Sequence, residues 1–216
     1  MLSSSKVMTN RIISIRNERD LAVSETIKEL QSGNPVVFPT DTVYGIGALS
    51  SDKESVKKIF EIKGRSFTQS LPVLVADFDQ AAKIAVTDSI PEEVKKFWPG
   101  PLTVIVPRRS ETPIYVGSEK HTVGIRCPKY EFVQDIAKEV GPLSVTSANP
   151  SGAATPQTAL EVAEQLENNL LVIDGGYCVG QPSTLIDLSS SDSKILRLGE
   201  ISEQELSEAG LIDNDG

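Results

Sequence analysis

Short apolar runs that alternate with helical patterns are the feature that most constrains how this chain can fold. Eight such runs lie at residues 36–38, 73–75, 102–106, 123–125, 143–145, 170–173, 184–186 and 195–196. Several are apolar at successive positions, which is typical of strands buried on both faces. Between many of them, apolar residues recur at helical spacing, as at Val23, Ile27 and Leu30, at Val56, Ile59 and Phe60, at Phe132, Ile136 and Val140, and at Leu160, Ala163 and Leu166. Because the runs at 102–106 and 123–125 follow each other without a helix, the pattern predicts an α/β fold with a mixed sheet flanked by helices.

The second predicted helix carries signals at both of its ends. Ser51 and Glu54 have the spacing of a capping box, and Gly64 stands where a left-handed residue would end the helix. Lys63 and Arg65 therefore flank a helix C-terminus, where basic side chains complement the helix dipole. Gly64 also carries Arg65 towards the strand ends, where a guanidinium suits a phosphate. The structural and the functional interpretation both stay open at this point.

The length and the charge distribution favour one domain with an acidic tail. A chain of 216 residues with 39% hydrophobic residues can bury one good core, and we expect one domain. Residues 1–11 and 201–216 are predicted to be terminal extensions that are partly mobile. Six of the nine net negative charges come from Glu200, Glu203, Glu205, Glu208, Asp213 and Asp215. The remainder carries about −3, so a local basic cleft stays compatible with the composition.

The cysteine usage and the apolar segments favour a cytoplasmic protein that does not interact with membranes. Cys127 and Cys178 have no CxxC spacing and no partner histidine, which favours reduced thiols over a disulfide framework or a zinc site. Residues 1–17 faintly resemble a transit peptide, but residues 12–15 look like an opening strand. No apolar run approaches the roughly 18 residues that a membrane span needs.

Polar residues cluster where the strand at 36–38 ends. Thr40, Asp41 and Thr42 follow this strand, and ligands bind at strand exits in open α/β sheets. Gly45 and Gly47 would allow a backbone to approach closely. The alternative is an ordinary turn with capping hydroxyl groups.

Arg126 lies at the far end of a strand whose other residues are small or apolar. A buried arginine is costly unless it meets an anion, so a carboxylate or phosphate ligand is expected, or else an internal Asp or Glu. His121 is the single histidine and no GxSxG elbow accompanies it, which argues against a Ser-His-Asp hydrolase.

Two further strands also end in hydroxyl groups and cations. The strand at 143–145 is followed by Ser147 and Asn149, and Thr155 is predicted to open a helix whose N-terminal amides could hold an anion. Ser183 follows a glycine-rich loop, and Arg197 lies on the last predicted strand. No P-loop motif occurs, so any nucleotide would be held by hydroxyl groups and arginines.

Seven motifs in one order make the chain resemble the YrdC-like family of threonylcarbamoyl-AMP synthases. They are "PTDTVYGIGA", "KGR", "LPVLV", "WPGPLTVIV", "VGIRCP", "TSANPSG" and "STLID", spread over roughly residues 12–200. The resemblance is to the short, single-domain members. It implies a twisted mixed sheet with a large concave basic groove. It also implies an enzyme that joins L-threonine, bicarbonate and ATP into L-threonylcarbamoyl-AMP and releases pyrophosphate. A threonylcarbamoyl transferase would then modify the adenosine beside the anticodon of tRNA.

The resemblance also implies roles for individual residues. Matching positions for L-threonine are Thr42, Arg126, Val145 and Ser183, with Arg126 on the carboxylate. Matching positions for ATP are Arg65, Gln69, Thr122, Ser147, Thr155 and Arg197. Lys63 and Arg65 form the K-x-R motif and are the predicted catalytic residues. Thr40, Tyr44 and Asn149 belong to matching motifs with less defined roles. Leu74 stands where some members have a histidine that contacts threonine.

The implied reaction brings a carboxylate, a carbamate and a triphosphate into one groove, where they would repel one another. Lys63, Arg65, Arg126 and Arg197 are therefore predicted to meet in a single hollow. Mg²⁺ is expected on the phosphates of ATP, without protein side chains as ligands. Catalysis would then be mainly positioning and charge stabilisation, without a covalent nucleophile.

Two other functions remain as alternatives. A carbamoyl-AMP-forming relative would use carbamoyl phosphate instead of threonine. A double-stranded RNA-binding or ribosome-assembly module would use a basic concave face without ATP turnover, although the acidic composition disfavours tight binding of tRNA or other RNA.

Overall fold

The computed structural model describes residues 10–86, 88–117, 121–166, 169–178 and 180–212. Within them, ten strands form one sheet. The strands are β1 (Arg11–Ser14), β2 (Val36–Phe38), β3 (Gly45–Leu49), β4 (Val73–Leu74), β5 (Leu102–Pro107), β6 (Thr122–Arg126), β7 (Leu143–Ser147), β8 (Leu171–Asp174), β9 (Thr184–Asp187) and β10 (Lys194–Arg197). All eight apolar runs predicted as strands fall on strands of this sheet.

The sheet is mixed, as the sequence predicted. Its strand order is β1-β8-β2-β3-β7-β4-β6-β5-β9-β10. The pairs β1/β8, β2/β8, β4/β6 and β5/β9 are parallel, whereas β2/β3, β3/β7, β4/β7, β5/β6 and β9/β10 are antiparallel. The consecutive strands β5 and β6 pair directly, which agrees with the absence of a helical pattern between them.

Helices cover both faces of one half of the sheet. The described helices are α1 (Ile15–Gln31), α2 (Lys53–Lys63), α3 (Phe78–Ile84), α4 (Glu131–Val140), α5 (Ala159–Gln165) and α6 (Glu203–Glu208), with a 3₁₀ turn at Glu92–Lys96. One core cluster packs α1 and α4 against β2, β7 and β8, and a second packs α2 and α5 against strands of the same half of the sheet. A third cluster joins β4, β5, β6 and β9 to α3 and α6.

Strand β3 was not predicted, because its two glycines interrupt the apolar pattern that is typical of a strand. A Cβ atom on Gly45 would lie 2.8 Å from the Val145 side chain, and one on Gly47 would lie 2.8 Å from Phe38 and 2.9 Å from Val145. The side chains of the neighbouring strands β2 and β7 therefore lean over β3, and only glycine leaves room for them. The close approach that these glycines allow is made by protein side chains in this structure.

The ends of α2 differ in part from the prediction. Asp52, and not Ser51, is the N-cap: its carboxylate accepts hydrogen bonds from the backbone N–H groups of Glu54 and Ser55. The predicted capping box of Ser51 and Glu54 is therefore wrong, since an aspartate one position later supplies the cap. Gly64 adopts the left-handed conformation, with φ 60° and ψ 34°, which confirms the predicted C-cap.

The C-terminal segment is packed rather than a loose extension. Ile201, Leu206 and Leu211 are buried in the third core cluster, and Ser202 forms a capping box with Glu205 at the start of α6. The acidic residues of this segment hid its apolar spacing, so the predicted boundary at residue 200 falls inside packed structure. Residues 1–9 and 213–216 lie outside the described residues.

In the parts of the chain that the structure describes, no helix combines the length and apolarity needed to cross a membrane.

Candidate active site

A cavity of about 380 Å³ lies on one face of the sheet where several strands end. Along β5, β6 and β9, Val104, Ile125 and Ile186 point into the third core cluster. The intervening residues Thr103, Ile105, Gly124, Arg126 and Leu185 line this central cavity instead. One face of these strands thus builds the core while the other builds the cavity. The predicted site residues that line the central cavity are Thr40, Thr42, Arg65, Arg126, Val145, Ser147, Thr155, Ser183 and Arg197.

Arg126 is fixed by three separate segments of the chain. Its Nε donates to the carbonyl of Gly100 (3.1 Å), Nη1 to the hydroxyl of Thr42 (2.8 Å) and Nη2 to the carboxylate of Asp41 (2.5 Å). Burial lowers the pKa of Arg126, although Asp41 opposes that shift. These contacts use three of the five N–H donors of the guanidinium, which leaves capacity for a ligand in the cavity that Arg126 also lines.

The sequence allowed either an internal acid or a ligand as the partner of Arg126, and the structure supplies the acid. Asp41 pairs with Arg126, and its second oxygen accepts a hydrogen bond from the backbone N–H of Lys129 at 3.0 Å. Both side chains are largely buried, with 7% of Arg126 and 14% of Asp41 exposed. Asp41 was noted at the strand exit but was not predicted as a site residue, because the sequence gives no signal for its partner 85 residues away.

The threonines of the strand exit form a tight polar turn. The Thr40 hydroxyl accepts from the backbone N–H groups of Thr42 and Val43 and donates to the Val43 carbonyl at 2.7 Å. The Thr42 hydroxyl, which accepts from Arg126, lies 3.0 Å from the Thr40 hydroxyl. The two interpretations of this stretch therefore both apply, since the turn is hydrogen bonded internally and also lines the cavity.

A second group of hydroxyls that line the cavity lies on β5 and just before β9. The Oγ atom of Ser183 lies 2.8 Å from Oγ1 of Thr103, and Nη2 of Arg197 donates to Ser183 Oγ at 3.2 Å. Arg197 also donates to the Ser183 carbonyl through Nε and Nη2. Thr103 was not predicted as a site residue, because a threonine in the middle of an apolar strand gives no sign that its face borders a cavity.

Arg65 reaches the cavity with weak internal contacts. Its Nε and Nη2 lie 3.4 Å from the carbonyls of Gln69 and Ser70, which is long for a hydrogen bond. The side chain is half-buried, and burial lowers the pKa of Arg65. The guanidinium is thus held less firmly than that of Arg126.

Thr155 lines the cavity but does not open a helix. The helix α5 starts at Ala159, and its N-cap is Thr158, whose side chain accepts from the N–H of Glu161. The predicted helix start at Thr155 is wrong because Thr158 provides the cap three residues later. The N-terminal amides of α5 therefore do not follow Thr155 directly.

Lys63 is not among the residues that line the central cavity. Its Nζ donates to the carbonyl of Ser147 at 2.5 Å and to the carbonyl of Asn149, and only 4% of the residue is exposed. Burial, with a smaller contribution from Arg65, lowers the pKa of Lys63 to about 8. The prediction of four cations in one hollow is thus correct for Arg65, Arg126 and Arg197 and wrong for Lys63, which lies behind the wall that Ser147 forms.

Four other predicted residues also lie outside the cavity lining. The Tyr44 hydroxyl donates to the Gly176 carbonyl at 2.7 Å, and burial raises the pKa of Tyr44. The Asn149 side-chain amide donates to the Ala153 carbonyl at 2.7 Å. Gln69 is exposed, and Thr122 pairs with Pro107 at the end of β6. The structure gives Tyr44 and Asn149 structural partners, and the ligand roles of all four stay predictions.

Both cysteines are buried free thiols. Burial raises the pKa of Cys127 to about 11, and it also raises the pKa of Cys178. Neither thiol therefore has the lowered pKa of a nucleophilic cysteine.

The protein is of the α/β class with a mixed sheet, and a cavity lined by three arginines and several hydroxyl groups is chemically suited to a small anionic ligand. A sequence model of the Sua5/YciO/YrdC family, described as telomere recombination, matches residues 28–199. The chain belongs to the Sua5/YciO/YrdC family. This confirms the resemblance drawn from the seven motifs.

Individual relatives agree with this assignment. A threonylcarbamoyl-AMP synthase from Pyrococcus abyssi is 38% identical over 184 residues, which cover 82% of this chain and 54% of the relative. A relative from Methanocaldococcus jannaschii is 34% identical over 206 residues, covering 92% of this chain and 98% of its own length. The crystal structure of Pyrococcus abyssi Sua5 complexed with L-threonine superposes with a TM-score of 0.86 at 34% identity, covering 93% of this chain and 61% of that one. The chain thus spans little more than half the length of the Pyrococcus abyssi relative.

Proposed function

We propose that this protein is an L-threonylcarbamoyladenylate synthase, which forms L-threonylcarbamoyl-AMP and pyrophosphate from L-threonine, bicarbonate and ATP. The observation that carries the proposal is the buried guanidinium of Arg126, held beside the Thr42 hydroxyl on the wall of a cavity that Arg65 and Arg197 also line. The relative that was crystallised with L-threonine has the same fold. A nucleotidyltransferase of this kind needs one cavity for an amino acid and a triphosphate, and the lining residues suit both.

The amino acid would bind at Arg126. Its carboxylate would accept hydrogen bonds from the N–H donors that Gly100, Thr42 and Asp41 leave unused. Thr42 and Ser183 offer hydroxyl groups on either side, and Val145 and Leu74 supply apolar surface. Leu74 cannot hydrogen bond to the substrate, so the hydroxyl groups must provide the polar recognition here.

The nucleotide would bind towards Arg65, with Ser147, Thr155 and Arg197 as further contacts. Threonine and bicarbonate would first form a carbamate, whose oxygen would attack the α-phosphorus of ATP as pyrophosphate leaves. Arg65 and Arg197 would stabilise the negative charge on the phosphate oxygens. Lys63 would act indirectly, because its hydrogen bonds to the carbonyls of Ser147 and Asn149 hold Ser147 in the cavity wall.

Mg²⁺ fits this arrangement as a companion of ATP. Among the described residues, no group of three or more His, Cys, Asp or Glu side chains is placed to hold a metal ion. The acid that borders the site, Asp41, is already paired with Arg126 and Lys129. The phosphate oxygens would therefore supply most of the ligands, and the ion would neutralise charge on the triphosphate.

The product would be passed to a threonylcarbamoyl transferase that acts on tRNA, and we place this reaction in the cytoplasm. A carbamoyl-AMP-forming reaction and a double-stranded RNA-binding role are the alternatives. Neither gives a function to the hydroxyl groups of Thr42 and Ser183 beside the buried arginine.

Pyrophosphate release tests the proposal. Protein, ATP, Mg²⁺ and bicarbonate are mixed with each amino acid in turn, and in separate reactions with carbamoyl phosphate or double-stranded RNA. We expect release that depends on L-threonine and is lost in Arg126→Ala, while Arg19→Ala, which removes an exposed ion pair, behaves as wild type. Release with carbamoyl phosphate alone would support the first alternative. Salt-sensitive RNA binding without any release would support the second.

A further inference from the structure

The hydroxyl pair of Thr103 and Ser183 is a feature of the cavity that the predicted threonine and ATP contacts do not fully use. Both residues line the cavity, and they are 3% and 6% exposed. Their hydroxyl oxygens lie 2.8 Å apart. Ser183 was assigned to the substrate by family resemblance, whereas Thr103 had no assigned role.

One of the two hydroxyl hydrogens of Thr103 and Ser183 is left without an acceptor. The hydroxyl oxygen of Ser183 accepts a hydrogen bond from Nη2 of Arg197, so this contact does not use the hydroxyl hydrogen of Ser183. One of the two hydroxyls donates to the other, and either can be that donor. In each case the second hydroxyl hydrogen has no acceptor among the described residues. Because both groups are buried, that hydrogen needs an acceptor inside the cavity.

The position of Thr103 suggests what the acceptor is. Val104 on β5 pairs with Ile125 on β6, so Thr103 lies opposite Arg126, one position further along the antiparallel ladder. Side chains that face each other in this way have Cβ atoms about 5 Å apart. Besides burial, the charge of Arg197 contributes to the lowered pKa of Arg126, so the two guanidinium groups lie near each other, and Arg197 donates to Ser183. A small α-amino acid whose carboxylate binds Arg126 would carry its β-substituent towards Ser183 and its neighbour Thr103.

We infer that Thr103 is a specificity-determining residue that recognises the β-hydroxyl group of the amino acid substrate together with Ser183. This inference rests on the proposed function. In the inferred complex, Ser183 donates to Thr103, and the hydroxyl hydrogen of Thr103 donates to the β-oxygen of threonine. An amino acid without that oxygen leaves the donor unsatisfied in a buried site, and the site rejects it for that reason.

Comparison of L-threonine with L-2-aminobutyrate, which lacks only the β-hydroxyl, tests this inference. The readouts are kcat/KM for pyrophosphate release and the dissociation constant from calorimetry. We expect wild type to prefer threonine by about 10- to 100-fold. Thr103→Val, which keeps the side-chain shape, should lower that preference about five- to tenfold by weakening threonine binding alone. Thr103→Ser, which keeps the hydroxyl, should retain the wild-type preference.

A control variant removes the hydroxyl group of a threonine outside the cavity. Thr112 donates to the carbonyl of Lys83 at 3.0 Å and does not line the cavity, so Thr112→Val should leave the preference unchanged. Thermal unfolding of each variant shows whether it is folded.

Three outcomes would overturn the inference. The first is that wild type binds L-threonine and L-2-aminobutyrate equally well, a result that requires no variant. Thr103→Val could retain the preference of wild type. Thr103→Val could also weaken the binding of both amino acids equally, which would mean that the Thr103 hydroxyl contacts the carboxylate or the carbamate and not the β-hydroxyl. If wild type released no pyrophosphate with threonine at all, the proposed function itself would fail.

Discussion

The two ends of the central cavity are built differently. The Arg126 end consists of Thr42, Thr103, Arg126 and Ser183. Arg126 there donates three hydrogen bonds of 2.5 to 3.1 Å, one of them to Asp41. The Arg65 end consists of Arg65, Ser147 and Thr155. Arg65 there has two internal contacts of 3.4 Å. The same type of side chain is thus fixed at one end and loosely held at the other.

This difference suits the two ligands of unequal size in the proposed reaction. A small amino acid offers few contacts, so a pocket that is rigid before binding loses little conformational entropy when it binds. A triphosphate offers many strong acceptors and can order a loosely held arginine itself. We therefore expect the Arg126 end to be preformed and the Arg65 end to become ordered around the nucleotide.

The largest expected effect is that of Arg126→Ala. This variant removes the guanidinium and leaves Asp41 buried without its ion-pair partner, which typically costs about 3–5 kcal/mol of stability. L-Threonine affinity should fall about 10- to 150-fold, since a hydrogen bond to a charged group contributes about 1.5–3 kcal/mol. Urea unfolding and calorimetric titration measure the two effects.

A double variant separates the two effects of this change. Arg126→Met combined with Asp41→Asn removes both charges, so most of the lost stability should return while threonine affinity stays low. Unchanged threonine affinity in Arg126→Ala would contradict the assignment of this end.

A smaller effect is expected for Asp41→Asn. Asparagine can still accept a hydrogen bond from Arg126 but no longer competes with the substrate carboxylate for its charge. We predict threonine affinity about fivefold tighter, which is ~1 kcal/mol of relieved repulsion, together with lower stability. Calorimetry and urea unfolding check both signs. Weaker threonine binding in this variant would mean that the charge of Asp41 is needed to position Arg126.

Arg65→Ala should change binding but hardly stability. The long contacts of Arg65 contribute little to the fold, so the free energy of unfolding should stay within about 0.5 kcal/mol of wild type. ATP affinity should fall about tenfold through the loss of a charged contact with phosphate. Fluorescent ATP-analogue titration and urea unfolding are the measurements. A loss of stability comparable to that of Arg126→Ala would remove the contrast between the two ends.

A pH-dependent effect is expected for Lys63, which lies behind the Arg65 end. Its pKa in the folded protein is about 8, below the ordinary 10.5 of lysine. Between these values the unfolded chain binds more protons at this residue, so the contribution of Lys63 to the free energy of unfolding rises with pH from about 8 to about 10.5. In urea unfolding, the difference in the free energy of unfolding between wild type and Lys63→Met should increase across this range, because the other titrating groups are common to both proteins. A parallel pH dependence of the two proteins would place the pKa of Lys63 near its ordinary value.

The sequence predicted the parts of the fold that depend on local patterns. The continuous apolar run of β5 and the glycine C-cap at Gly64 follow from propensity and periodicity, and both are confirmed. Strand β3 was missed because its glycines leave room for the side chains of Phe38 and Val145, which reach this strand only in the folded sheet. The packing of Leu206 was missed because acidic neighbours mask its apolar spacing.

The candidate site was predicted less evenly. Family motifs pointed to Thr42, Arg126 and Ser183, which the structure brings to one cavity. Local sequence could not show that Asp41 neutralises Arg126 or that Thr103 joins Ser183, because each contact bridges about 80 residues or more. Lys63 was misplaced for a related reason, since two carbonyls of a distant turn hold its ammonium group.

Titration of L-threonine into wild type and Arg65→Ala in the absence of ATP tests the preformed Arg126 end most directly. The account predicts that threonine binds both proteins with the same dissociation constant. Threonine binding that requires ATP, or that is lost in Arg65→Ala, would contradict it.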